Sequence, residues 1–205
     1  MTISWLPTRA RRSPDHVEAA LSRGGAAQLR PLHAGETEPL LAVFESLSPA
    51  SRMDRYLVGV PRLPSAMLNA LVAVDGHDHV AWLATVAGRP AGIARSIRVA
   101  TDTAEVAFEV ADAHQGRGLG TVLLDTVTTV AAAHGVRRVR ATVLPTNAPS
   151  LRLLAQLGIP LTLRDGLLEG EGPLRLLDPA RVDRHAVVAL AQRQDGPVGQ
   201  EGPVA

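Results

Sequence analysis

A chain of 205 residues with 46% hydrophobic and 20% charged residues carries enough apolar side chain to fold around one core, and its length suits one domain with tails. A formal net charge of +1 and only 2% aromatic residues argue against a nucleic-acid surface, which needs a strong positive field and stacking rings, and against an anionic membrane as partner. The absence of cysteine removes disulfides, thiolate nucleophiles and the usual structural zinc sites, and makes a cytoplasmic setting the expectation.

In chain order, residues 1–26 are expected to form a loose arm carrying at most one short helix in "SPDHVEAALSR". Arg9, Arg11 and Arg12 read as a solvated basic tail, and they follow the first apolar stretch, the wrong order for a secretory signal. A domain is expected over residues 27–178. It opens with a strand at "AQLRPLHA", a helix at "ETEPLLAVFESL" and a second helical piece at "SPASRMDRYL", with Ser48 as N-cap and Pro49 at the first helical position. The spacing of His77, Asp78 and His79 suits a metal, but they sit in a turn after Gly76 without a third cluster, so no metal is expected.

Two strands follow in "VAWLATVAGRPAGIARSIRVA", turning at Gly88 to Pro90, and "AEVAFEVA" alternates as a third. "LGTVLLDTVTTVAAAH" predicts an amphipathic helix with Leu123, Leu124, Val127, Val130 and Ala131 facing the core and Gly135 as its stop. It is the longest apolar candidate, and Asp125 and the threonines make it unfit to span a bilayer. "VRRVRATVL" is a β-branched strand, and "NAPSLRLLAQLG" a capped helix ending at Gly158. Residues 179–205 read as a short helix opened by Asp178 and Pro179 and a disordered polar tail, too little for a fused ligand-sensing domain. Antiparallel strands first and a strand, helix, strand unit later make the class α/β with a mixed sheet.

The stretch "HQGRGLGT" sets glycine at positions 116, 118 and 120, between the third of these strands and the amphipathic helix. A dinucleotide fingerprint counted from Gly116 needs glycine where Thr121 stands, and the nucleotide P-loop needs a lysine, of which the chain has none. What remains is a strand, a glycine loop and a helix N-terminus, whose unpaired N–H groups and dipole suit an anion such as a pyrophosphate. Arg117 adds charge at the rim. His114 reads as a surface loop residue.

Gln115-Gly116-Arg117-Gly118-Leu119-Gly120 matches the Q/R-x-x-G-x-G/A signature of the GNAT superfamily of N-acetyltransferases, and "NAPSLRLLAQLGI" resembles that superfamily's second motif. The likeness spans about Ala104 to Ile159, and "LSPASR" and "LPTNAPSLRLLAQLG" resemble the bacterial protein-lysine acetyltransferase branch. It implies the GNAT fold, a mostly antiparallel sheet with splayed parallel strands flanked by helices.

It further implies that the loop amides of Gln115, Gly116, Arg117, Gly118, Leu119, Gly120 and Thr121 hold the pyrophosphate of acetyl-CoA. The strand residues Ala107, Phe108, Glu109 and Val110 would take the pantetheine arm, and Asn147 would meet it or cap its own helix. A glutamate at the place of Glu105 is the superfamily's general base. Glu109 falls on the same strand face by the period of two, able to share that work or to be solvated. Leu153 and Leu154 stand where many members carry a tyrosine acid, and the one tyrosine of the chain is Tyr56. The implied acceptor is a protein lysine, with a small-molecule amine or a non-catalytic acetyl-CoA sensor as alternatives, in a monomer or homodimer.

Overall fold

The computed structural model describes residues 15–194. Within them eight strands, β1 (Val17–Ala20), β2 (Ala26–Pro31), β3 (His79–Val86), β4 (Arg89–Ala100), β5 (Thr103–Val110), β6 (Arg138–Val143), β7 (Thr162–Arg164) and β8 (Leu167–Pro173), form one sheet. Their order is β1-β2-β3-β4-β5-β6-β8-β7, and every neighbouring pair is antiparallel except β5 with β6. The helices are α1 (Thr37–Glu45), α2 (Pro49–Tyr56), α3 (Ser65–Val72), α4 (Leu119–Ala133), α5 (Ala148–Gln156) and α6 (Arg184–Gln194).

The run "VAWLA" in β3 is apolar without a break because both faces of the sheet are covered. Val80, Trp82 and Ala84 share one core with Leu119, Leu123, Leu124, Val127 and Val130 of α4. Ala81 and Leu83 pack with Leu40 and Val43 of α1 on the other face, joined by Leu68 and Leu71 of α3. The β3–β4 hairpin turns at Ala87 and Gly88, whose φ values of 50° and 75° are the pair of positive angles that a tight two-residue turn needs.

β4 and β5 pair along their length, from Gly92 opposite Val110 to Arg98 opposite Ala104. The parallel ladder between β5 and β6 is much shorter. It joins Thr103 to Arg138, Ala104 to Val139 and Glu105 to Arg140, and there it stops. Beyond Glu105 the two strands diverge, which is the splay expected of this fold.

Four segments differ from the sequence reading. Val17–Ala20 is not helical and not part of a loose arm: it pairs with β2 from Val17 opposite Leu29 to Ala20 opposite Ala26, and Val17 and Ala19 are buried. Helix α3 and the β7–β8 hairpin were not foreseen. The C-terminal helix starts at Arg184 rather than at Asp178 and Pro179, where the Asp183 carboxylate accepts from the Ala186 N–H at 3.1 Å. It also belongs to the main body, since Val187, Leu190 and Ala191 join the core of α4. Arg9, Arg11, Arg12 and the tail from Asp195 lie outside the described residues.

Candidate active site

Where β5 and β6 part, a cleft of about 470 Å³ opens. Glu105 to Val110 line one side of it, Ala141 to Val143 the other, and Asn147 with Ser150 and Leu153 of α5 complete the lining. Strand backbone that has lost its neighbour keeps a row of free N–H and C=O groups, so this opening is an edge inside a sheet. It can take an extended ligand as a further strand.

The glycine loop ends the cleft. After a single 3₁₀ turn at Asp112–His114 the chain takes left-handed angles at Gly116 (φ 69°) and at Gly118 (φ 86°), which caps α4. The first helical bond there runs from the Val122 N–H to the Gly118 carbonyl at 3.1 Å. The N–H groups of Leu119, Gly120 and Thr121 therefore have no partner within the helix, and they sit at the positive end of its 15-residue dipole. At Gly120 a Cβ would stand 3.2 Å from Leu153 Cδ1, so glycine lets α4 begin close against α5.

Gln115 fastens the loop to the strand before it: its Nε2 lies 3.1 Å from the Val110 carbonyl, 3.2 Å from Ser51 Oγ and 3.2 Å from Asp112 Oδ1. Arg117 turns away from the cleft. Its backbone carbonyl accepts from the Ser22 N–H at 3.0 Å, and its Nη2 reaches the Gly24 carbonyl at 3.3 Å, so the side chain braces the β1–β2 turn. Leu119 is buried in the core. The side chains of these two signature residues stay out of the cleft, whereas Gln115, Gly116, Gly118, Gly120, Thr121 and His114 line it.

Glu105 and Glu109 occupy one face of β5 but different surroundings. Glu105 is half-exposed at the point of splay, and Arg140, its register partner on β6, places Nη2 3.4 Å from Oε2. The Glu109 side chain is 2% exposed. Arg55 Nε lies 2.5 Å from its Oε2 and Arg95 Nη2 3.6 Å from its Oε1, both ion contacts without hydrogen-bond alignment. Burial pulls Arg95 down to about 10, with the Glu109 charge opposing, so it stays charged at neutral pH. The Glu109 carboxylate is thus committed to arginines, while Glu105 faces the cleft.

Asn147 caps α5, its Oδ1 accepting from the Ser150 N–H at 3.1 Å, and it lines the cleft. Leu153 and Leu154 also line it. Tyr56 sits on α2 with its hydroxyl 3.4 Å from Glu109 Oε2. Burial first, and the Glu109 charge second, push that phenol above its ordinary range, which makes it a poor proton donor.

Among the cleft residues the sequence did not single out are Ser51, Asp54 and Arg55 of α2. Their i, i+3, i+4 spacing does place them on one helix face, but nothing local says which element that face meets. Burial raises the Asp54 carboxyl above the usual range. His77, Asp78 and His79 hold local bonds instead of gathering at the cleft: Asp78 pairs with Arg98 at 2.6 Å, and the His79 ring bonds the Ala73 carbonyl at 3.0 Å.

A model of the GNAT family of acetyltransferases matches residues 42–159, from α1 to just past α5 and more than half of the chain. The chain belongs to the GNAT family. The acetyltransferase Pat of Mycolicibacterium smegmatis is 34% identical over 134 residues, 63% of this chain and 40% of that protein. The GNAT domain of S. lividans PAT superposes with a TM-score of 0.72 at 32% identity, covering 78% of this chain and 97% of that one. A cAMP-binding acyltransferase from Mycobacterium smegmatis gives a TM-score of 0.65 at 25% identity, covering 88% of this chain and 54% of the other. This GNAT chain therefore spans about half the length, or less, of the longer relatives it matches.

Proposed function

We propose that this GNAT chain is an acetyl-CoA-dependent N-acetyltransferase that acts on a primary amine, in the first place a protein lysine. The observation that carries the reading is the parting of β5 and β6 directly after Glu105, with an amide-lined helix N-terminus at the end of the opening. The residues present fit the co-substrate. The backbone N–H groups of Gly116 to Thr121 would hold its pyrophosphate, and the free edge of Ala107, Phe108, Glu109 and Val110 would hold its pantetheine arm beside Asn147. When bound, acetyl-CoA supplies an activated thioester for an amine to attack.

An amine with the ordinary lysine pKa is neutral in about one molecule in a few thousand at pH 7, a cost of roughly 4 to 5 kcal/mol. Glu105 takes that proton, directly or through water, which its half-exposed position admits. A backbone N–H of β5 facing the thioester oxygen would steady the charge that develops there. The chain has no cysteine, so no acyl-cysteine intermediate is available and direct attack on the thioester is the proposed route. A thiol of ordinary pKa, about 8.5, is a tolerable leaving group, which makes the leucines at 153 and 154 compatible with turnover.

The choice of lysine is supported by the likeness of "LSPASR" and "LPTNAPSLRLLAQLG" to the protein-lysine branch, and by Asp54 and Glu105, two cleft carboxyls suited to an ammonium group. A small-molecule amine acceptor would use the same machinery. The missing tyrosine favours a second reading, a non-catalytic acetyl-CoA sensor. No described helix is long and apolar enough to cross a membrane; the cytoplasm is the proposed setting, with a monomer or homodimer as the working form.

The test joins an acetyl-CoA titration to free-thiol release over a panel of lysine-containing proteins and small amines. Binding together with release on one acceptor class is the expected outcome and identifies that class. Binding without release on any acceptor would favour the sensor, and no binding would remove the proposal.

A further inference from the structure

Helix α2 supplies the cleft wall formed by Ser51, Asp54 and Arg55, yet none of its residues is buried. Helix α4, by contrast, buries Leu119, Leu123, Leu124, Val127 and Val130 and is held by that apolar area. Something other than a core must hold α2 against the sheet. Toward α1, Arg52 lies 4.2 Å over the buried Phe44 ring and bonds the Pro61 carbonyl at 2.7 Å, and Tyr56 meets Phe44 edge-on at 5.7 Å.

Its ties to the sheet run to one segment, Glu109 to Gln115, where β5 gives way to the glycine loop. Ser48 N–H donates to Asp112 Oδ2 at 3.2 Å, Gln115 Nε2 to Ser51 Oγ at 3.2 Å, and Tyr56 Oη to Glu109 Oε2 at 3.4 Å. Arg55 adds the ion pair to Glu109 at 2.5 Å. Of these, only the Glu109 contacts lie out of solvent. Arg95, on Glu109's other side, is 1% exposed and extends the cluster to α3 by donating from Nη1 to the Leu71 carbonyl at 2.9 Å.

Burying Glu109 and Arg95 with a half-buried Arg55 beside them is a poor way to gain stability, because desolvation of ions is costly and apolar packing of the same volume does as well or better. What such a cluster sets well is geometry. We infer that Glu109 is a positioning residue: through Arg55 it fixes α2 as one wall of the cleft that Glu105 also lines, joining the strand proposed for the cofactor to the helix proposed to face the acceptor. The catalytic meaning of this clasp rests on the reading of the cleft given above.

Amide hydrogen exchange tests it in four proteins: the wild type, Glu109→Gln, Arg55→Met and Arg55→Lys. Amides within 49–56 should exchange about tenfold faster in Glu109→Gln and Arg55→Met and near the wild-type rate in Arg55→Lys, while those of α4 keep their protection. Unchanged α2 exchange in both Glu109→Gln and Arg55→Met overturns the clasp. So does loss of protection in α4 alongside α2, which would make the cluster a general support of the fold. Titrating the wild type with acetyl-CoA reads the cleft separately: failure to bind would remove the catalytic meaning of the clasp whatever the exchange data give.

Discussion

Two carboxylates four residues apart on one face of β5 divide their work by what surrounds them. Glu109 meets arginines on both sides and is closed to solvent, whereas Glu105 stands at the splay with one exposed arginine beside it. The proposed base must reach both water and substrate, which the exposed position of Glu105 allows. Glycine at 118 is required in a similarly local way. Its φ of 86° is left-handed, and a Cβ would come within 2.8 Å of Ser22 Oγ. Gly118→Ala is therefore expected to cost about 1–3 kcal/mol of stability and to weaken acetyl-CoA binding, since the same residue caps α4. Thermal unfolding with an acetyl-CoA titration checks both effects.

At the scale of elements, α4 and α6 are joined by a charge. Asp125 is fully buried in α4, accepting from the Arg181 N–H at 2.6 Å and from Arg184 Nη2 at 2.7 Å. Asp125→Ala should lower stability by about 3 kcal/mol and release α6, as read by chemical denaturation and by exchange of the amides in 184–194. The central elements were legible in the sequence because their local signals agree with their packing: alternation in β5, a broad apolar stripe in α4, and capping residues at Ser48 and Asn147. Val17–Ala20 misled because Ala and Glu favour helix, and only pairing with β2 makes it a strand. The β7–β8 hairpin did carry a signal, Asp165-Gly166, and both residues take positive φ as a tight hairpin turn demands. Helix α3 lies beyond a proline-broken stretch, and its amphipathic pattern spans only eight residues.

Across the whole molecule, the parts of the site close together in the chain were readable, and those brought in from afar were not. Glu105, the glycine loop and Asn147 follow one another along β5, α4 and α5, while Arg55 and Ser51 reach the same cleft from more than fifty positions upstream, through the bonds to Glu109 and Gln115. Arg140 was missed for a related reason: its place beside Glu105 depends on the register of the parallel pair. The composition adds one global consequence. With 21 arginines and no lysine, this chain has no side-chain amine of its own to modify. Intact mass after incubation with acetyl-CoA should shift only through the N-terminal amine, if it shifts, and stable acetylation elsewhere would contradict a preference for amine acceptors.

The most direct test of the account is the rate of free-thiol release from acetyl-CoA by Glu105→Gln beside the wild type, on the acceptor the wild type uses best. A fall of about 10²-fold or more with acetyl-CoA affinity unchanged is the predicted result. Undiminished turnover would contradict the assignment of Glu105 as the base.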